Sequence, residues 1–225
     1  AEEYAKDSGF PLDMDGFNAA MQEQKEKAMT SWKGSGEKSV APFFKEFMKS
    51  GKPTRFLGYD GMFTEAKVLA ILKDSNPVDS ASTGEEVQLL VDQTPFYGES
   101  GGQVGDTGTA SNDHAQLEII KTTKPVAELI VHDATITQGT IKPCDRLTLE
   151  VDSENRVNTA LNHSATHLLH AALKEILGNH IKQAGSLVAP DRLRFDYTHF
   201  SPLTPREKNR IEERVNEKIR ENIGI

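Results

Sequence analysis

Two stretches of this sequence combine residue types and spacings suited to chemistry. The first is Leu161-Asn162-His163-Ser164-Ala165-Thr166-His167-Leu168-Leu169-His170-Ala171. On a helix each residue advances about 100°, so with His163 at zero, His167 lies at about +40°, His170 at about −20° and Thr166 at about −60°. Imidazoles at i and i+4 point the same way, and His163 and His167 could share one Zn²⁺ at about 2.0–2.1 Å each. The plain alternative is a row of polar side chains on a wetted helix face. Two ligands do not complete a tetrahedral shell. The metalloprotease pattern is excluded, because it needs Glu directly after the first His and Ser164 stands there.

The second stretch, Phe96 to Gly108, holds five of the chain's 17 glycines. Such a loop turns tightly or lets a ligand approach the backbone. The N–H groups of Gly101 and Gly102 could serve as oxyanion donors. No Gly-Lys-Ser/Thr follows, so this is not a P-loop. No helical pattern follows either, which removes the dinucleotide fingerprint. The alternative is a pair of β-turns between barrel strands. Gly101-Gly102-Gln103 also matches the tripeptide of peptide release factors, a match too short to carry weight.

These groups need elements to hold them. Asp152 as N-cap and Gly178 as stop predict a long helix over 153–177 bearing the histidines. By the same periodicity Leu161, Ala165, Leu168, Ala172 and Ile176 form its apolar stripe, opposite the histidines. Alternating residues at 67–72, 86–91, 116–120 and 146–151 predict strands. Without strong helices between them, they point to a small β-barrel or curled sheet. Leu193–Tyr197 reads as a further strand. Thr204-Pro205-Arg206-Glu207 is a capping box with Pro at the first helical position, opening a last helix with Ile211, Val215, Ile219 and Ile223 along one face. At the other end, Asp13 or Asp15 could cap a helix carrying Phe17, Met21, Ala28 and Trp32, broken at Gly34-Ser35-Gly36. A connector or short helix around Phe43, Phe44 and Phe47 follows.

Composition bounds the rest. With 225 residues the chain has room for one large domain or two small ones. The single Cys144 excludes an intramolecular disulfide and suits a reducing cytoplasm. No apolar run approaches the roughly 20 residues of a membrane span. A net charge of −8 argues against a protein that coats DNA or RNA electrostatically, so any RNA contact must be local. The acidic start, without an initiator Met, predicts a piece of something longer.

The run Gln93–Asp106 (QTPFYGESGGQVGD), the histidine stretch, Gly185-Ser186-Leu187-Val188 and Leu193-Arg194-Phe195-Asp196 together resemble the editing region of bacterial alanyl-tRNA synthetases. The first helices, including Gly9-Phe10-Pro11, resemble the end of that family's tRNA-recognition region. The resemblance implies an α+β fold. Residues 1–53 would be the helical end of the recognition region and linker. Residues 54–151 would be an antiparallel β-barrel subdomain. Residues 152–225 would be an α/β editing core shared with threonyl-tRNA synthetase, incomplete at its C-terminus.

It further implies hydrolysis of the ester in Ser-tRNA(Ala) and Gly-tRNA(Ala), with the acylated 3′ end of tRNA(Ala) as partner. The parent enzyme would ligate alanine to tRNA(Ala) with ATP. His163 and His167 match half of the family's zinc site. Thr166 and Gln183 match editing-pocket positions. Zn²⁺ is expected to bind weakly or not at all here, because the family's CxxxH ligands would lie beyond Ile225. Two rival readings remain: a non-catalytic RNA-binding or interaction module, and a free-standing deacylase or threonyl-tRNA synthetase relative.

Overall fold

The computed structural model describes Gly16 and residues 42–49, 51 and 53–222. The chain divides after Val40, and the elements below belong to the second part, Ala41–Ile225. The expected first helix and its Gly34-Ser35-Gly36 break fall outside the described residues. A short helix α1 (Pro42–Lys49) occupies the Phe43–Phe47 segment, where Phe43 and Phe47 stack with ring centroids 5.7 Å apart.

The strands follow in order. They are β1 (Arg55–Phe56), β2 (Phe63–Lys73), β3 (Asn76–Pro77), β4 (Ala81–Ser82), β5 (Glu86–Val91), β6 (Gln93–Thr94), β7 (Gly108–Ser111), β8 (Ala115–Val126), β9 (Leu129–Ile141) and β10 (Arg146–Val151). Antiparallel pairing runs β10-β7-β8-β9-β5-β2, and β10 pairs back onto β2 through Leu147↔Ala66 and Leu149↔Thr64. The result is a six-stranded closed antiparallel barrel. Closure pairs each of these strands on both sides, so the barrel proper has no free edge.

Alternation fills it. In β10, Leu147, Leu149 and Val151 point inward while Arg146, Thr148 and Glu150 face out. Ala115, Leu117 and Ile119 do the same at the start of β8. With Val68, Ile71, Leu89, Val91, Phe96 and Ile136 they form one continuous core. β9 breaks the pattern: Leu129 to His132 are buried on both faces, with Thr54 bonded to the strand at Ile130 and Thr94 and Phe96 against His132. The Thr54 hydroxyl accepts from the Ile130 N–H, and the Thr54 N–H donates to the Glu128 carbonyl.

After the barrel come α2 (Ser153–Leu177), β11 (Gln183–Val188), β12 (Leu193–Tyr197) and α3 (Pro205–Glu221). Asp152 caps α2 by accepting from the Asn155 N–H at 3.0 Å, and Gly178 ends it at φ 115°. Thr204 and Glu207 form the reciprocal capping box of α3. A second core, of Ala172, Leu173, Ile181 and Ile211, joins α2 to α3 and to the β11–β12 ribbon. The whole is an α+β fold with helices at both ends of the barrel sequence. Among the described residues no helix is long and apolar enough to cross a membrane.

The apolar stripe of α2 requires a correction. Leu161 is 63% exposed, whereas Thr159, Thr166 and Leu173 are buried. Ala172 of the expected stripe is buried in the second core and Ile176 packs against it, so the stripe holds toward the C-terminal half, while toward the N-terminal half burial shifts to the threonines. The helix packs against two surfaces, the barrel loop near its start and the ribbon and α3 further on. No single stripe serves both.

Candidate functional site

The glycine-rich loop is held by its own backbone. Ser100 and Gln103 exchange N–H···O bonds of 3.2 and 3.0 Å across Gly101 and Gly102, which sit at φ 60° and 85°. Positive φ at both central positions is what a type I′ turn demands, and glycine supplies it without strain. Among the described residues, the N–H groups of these two glycines make no hydrogen bond. Gly102 also lies against Ser186: an added Cβ would stand 2.4 Å from the Ser186 Oγ. Val188 N–H donates to the Gly102 carbonyl at 2.8 Å, and Val104 N–H to the Val188 carbonyl at 3.0 Å. The loop is thereby stitched to β11.

The Gly-Gly turn meets the histidine face of α2 through Gln103. Gln103 Oε1 lies 2.6 Å from His163 Nδ1. A carboxamide oxygen only accepts, so Nδ1 donates in this bond, which leaves Nε2 as the nitrogen that faces away from Gln103. The ring of His167 stacks on that of His163, with centroids 5.1 Å apart and planes 29° apart. Both histidines are exposed. His170 is turned away, its ring 5.0 Å from Phe195 of β12 and its Nε2 buried without a partner.

The other sequence-derived residues are placed as follows. Thr166 is buried, and its hydroxyl donates to the Asn162 carbonyl one turn back at 2.8 Å. Its lone pairs stay available as acceptors. Gln183, exposed at the start of β11, donates from Nε2 to the Ser186 Oγ at 3.2 Å. Gly102, Ser186 and Gln183 therefore form a chain of contacts on β11. Gly102 and Gln103, adjacent in sequence, link that chain to His163.

Two residues that sequence reasoning passed over hold the arrangement together. Arg156, on the first turn of α2, is paired with the nearly buried Asp106 at the end of the loop, through Nε at 3.0 Å to both carboxylate oxygens and through Nη2. The same guanidinium donates to the Pro95 carbonyl at 2.7 Å and the Gly58 carbonyl at 3.2 Å. One planar cation thus joins loop, barrel and helix, a task for the forked geometry of Arg. Asn162 adds a second tie, donating to the Ala189 carbonyl at 2.8 Å. Asp106 lay within the recognised motif, but nothing in spacing alone connects it to an Arg 50 residues later.

Beneath the loop runs a fully polar relay. Phe96 N–H donates to Thr94 Oγ1 at 3.1 Å, Thr94 Oγ1 lies 2.8 Å from His132 Nε2, and His132 Nδ1 lies 3.2 Å from the Leu89 carbonyl. The donors run in one direction only if His132 is neutral with its proton on Nδ1. Burial pushes its pKa from 6.5 down to about 4, partly offset by the bond to Leu89. A cavity of about 280 Å³ opens between Val104–Thr107, Asn155, Thr159 and Pro190, one helical turn before His163.

The donor set bears on zinc. His163 and His167 offer two imidazoles from one helix face, one oriented by Gln103 as metal-bound histidines usually are. Among the described residues no group of three or more His, Cys, Asp or Glu is arranged to hold an ion. The residues present fit half of a tetrahedral shell.

Comparison with known proteins addresses the lineage of this arrangement. The sequence model of the family described as tRNA synthetases class II (A) matches residues 1–155. Alanine–tRNA ligase of Nitratidesulfovibrio vulgaris is 45% identical over 222 residues, 98% of this chain and 25% of that protein. The alanine–tRNA ligase of Rhizobium meliloti is 48% identical over 217 residues, 96% of this chain and 24% of that protein. The chain spans about a quarter of the length of these relatives. It belongs to the class II (A) tRNA synthetase family, that of the alanine–tRNA ligases.

Proposed function

We propose that this chain carries the hydrolytic editing site of an alanine–tRNA ligase, cleaving the ester of Ser-tRNA(Ala) and Gly-tRNA(Ala) in the cytoplasm. The parent enzyme joins alanine to tRNA(Ala) with ATP. The observation that carries the reading is the Gln103–His163 bond at 2.6 Å, which brings the Gly-Gly turn and the histidine helix into one site.

The chemistry needs a positioned water and donors for the developing oxyanion. The unbonded N–H groups of Gly101 and Gly102 are such donors, fixed in advance by the turn and by Val188. Gln183, tethered to Ser186, positions the ester or the water. Thr166 reads the substrate: its proton is already committed to Asn162, so it offers a lone pair to the serine hydroxyl. A hydroxyl matched by a buried acceptor gives more discrimination than the ~1–3 kcal/mol of one methylene in an apolar pocket. His163 and His167 would hold Zn²⁺, with the remaining ligands supplied by a CxxxH segment that this sequence lacks. Bound there, the ion would anchor the substrate or acidify its water.

The test is deacylation of Ser-tRNA(Ala) by the full-length enzyme. Thr166→Val keeps shape and removes the acceptor. It should slow serine release at least tenfold, with no comparable effect on a glycine ester. Equal rates for wild type and variant would remove Thr166 from the mechanism. RNA binding without any hydrolysis would favour a non-catalytic module.

A further inference from the structure

Beyond Gln183 the β11–β12 ladder continues outward. Thr198 N–H donates to the Lys182 carbonyl at 3.1 Å, and the Lys182 N–H approaches Thr198 Oγ1 at 3.4 Å. Past the buried Ile181, the end of this ribbon carries His180 and His199. They are hydrogen bonded, Nε2 to Nδ1, at 2.9 Å, and their rings stack at 5.1 Å and 19°. Phe200 stacks on His180 in turn, at 4.8 Å and 26°, and is 87% exposed.

An exposed phenylalanine normally costs apolar area and is left to rotate. Here one ring face lies against His180, and the His180–His199 bond fixes what lies behind it. The other face is open to solvent. The product is a flat aromatic surface with the exposed Lys182 on the adjoining ladder position. That combination of a π-face and a nearby cation is how unpaired nucleotides are held without sequence readout. His180, in the turn after α2, stands three residues before Gln183, which limits their separation to at most about 10 Å along the chain.

We propose that Phe200, backed by His180 and His199, is a stacking platform for an unpaired nucleobase at the 3′ end of the RNA, with Lys182 facing its phosphate. The assignment rests on the editing reading for the identity of the RNA. It explains how an overall anionic chain holds a polyanion through contacts of local kind. It also makes Phe200 a binding residue, distinct from the groups placed at the ester.

The test uses the full-length enzyme and two RNA hairpins that mimic an acceptor stem, one with an unpaired 3′ end and one blunt-ended, titrated by fluorescence anisotropy at fixed salt. Phe200→Ala should weaken the unpaired-end RNA by about fivefold or more, the range for losing one base–aromatic stack, and leave the blunt RNA unchanged. Phe200→Trp should retain affinity, and its indole emission should be quenched by the unpaired-end RNA alone. In Ser-tRNA(Ala) hydrolysis, Phe200→Ala should raise KM and spare kcat. Equal affinities of wild type and Phe200→Ala for the unpaired-end RNA would overturn the platform. So would a loss of thermal stability in Phe200→Ala without a binding change, which would make Phe200 a packing residue. A wild-type enzyme that releases no serine but still shows the Phe200-dependent binding would sink the editing reading and leave the platform standing.

Discussion

The barrel and the α2–ribbon–α3 region solve different problems. The barrel closes on itself and buries Leu89, Leu90, Val131, Ile136 and Leu149 almost completely. Its exposed surface is largely polar apart from Phe63 and Ile120, and its few buried polar groups are satisfied, as the His132 relay shows. The second region has a core of four well-buried residues, and an apolar groove of about 360 Å³ remains open along Leu173, Leu203, Ile211 and Val215. It carries the histidine pair, Thr166, Gln183 and the Phe200 stack. A self-sufficient scaffold is thus joined to a thinner region that presents the side chains capable of chemistry. The joint itself is polar: the Arg156–Asp106 ion pair at the start of α2 and the backbone bonds of Gly102 and Val104 with Val188.

Breaking the joint should have the largest effect. Arg156→Ala leaves the Asp106 carboxylate buried without its counter-ion, with only the Tyr97 N–H donating to it, and frees the Pro95 and Gly58 carbonyls. Loss of about 3–5 kcal/mol is expected, the usual range for removing one partner of a buried pair. Urea unfolding measures it. A loss under 1 kcal/mol would mean the two regions are held by packing instead.

The contrast in packing is sharpened by truncating one residue in each region. Leu89→Ala, deep in the barrel, should cost about 3–4 kcal/mol. Ile211→Ala, beside the open groove, should cost only ~2 kcal/mol, because fewer contacts are lost there. Equal costs would show that the second core is as well packed as the first.

Acid should act through the barrel. His132 is neutral when folded and titrates at about 4, against 6.5 for an unburied ring. As pH falls through this window the unfolded chain takes up a proton that the folded one refuses. Stability present above pH 6.5 is therefore lost progressively down to about pH 4, by roughly 1.4 kcal/mol per unit and ~3 kcal/mol in all. Chemical unfolding at stepped pH measures the slope. His132→Asn should flatten it within that range.

The smallest effect on stability belongs to the contact with the largest expected effect on activity. Gln103→Ala removes an exposed bond to His163 and should change unfolding free energy by under about 0.5 kcal/mol. On the proposed editing reading, in which His163 holds zinc in the full-length enzyme, serine release should fall about 10–100-fold, the usual penalty for losing a group that orients a ligating histidine. Unfolding and deacylation measured on one preparation separate the two.

Local chemistry wrote much of this into the sequence. Asp152 and Gly178 bound α2 at the residues expected, and the Thr204–Glu207 box opens α3, because caps act over three or four residues. β5 and β10 fall where alternation places them. β9 does not announce itself at its start, since Leu129–His132 are buried on both faces and leave no alternation to read there. β11, with Gly185 inside it, lacks the composition of a strand and exists because β12 and the loop both pair with it. The site divides the same way. Residue types and spacing singled out His163, His167 and the Gly101–Gly102 turn, while Thr166 and Gln183 came from family likeness. Only the tertiary structure decided that Gln103 meets His163, that Ser186 lies under Gly102, that Arg156 clamps Asp106 and that Phe200 stacks on His180. Those pairings join residues that are distant along the chain or brought together by a turn, so chain topology and close packing set them, and no local preference in the sequence encodes them.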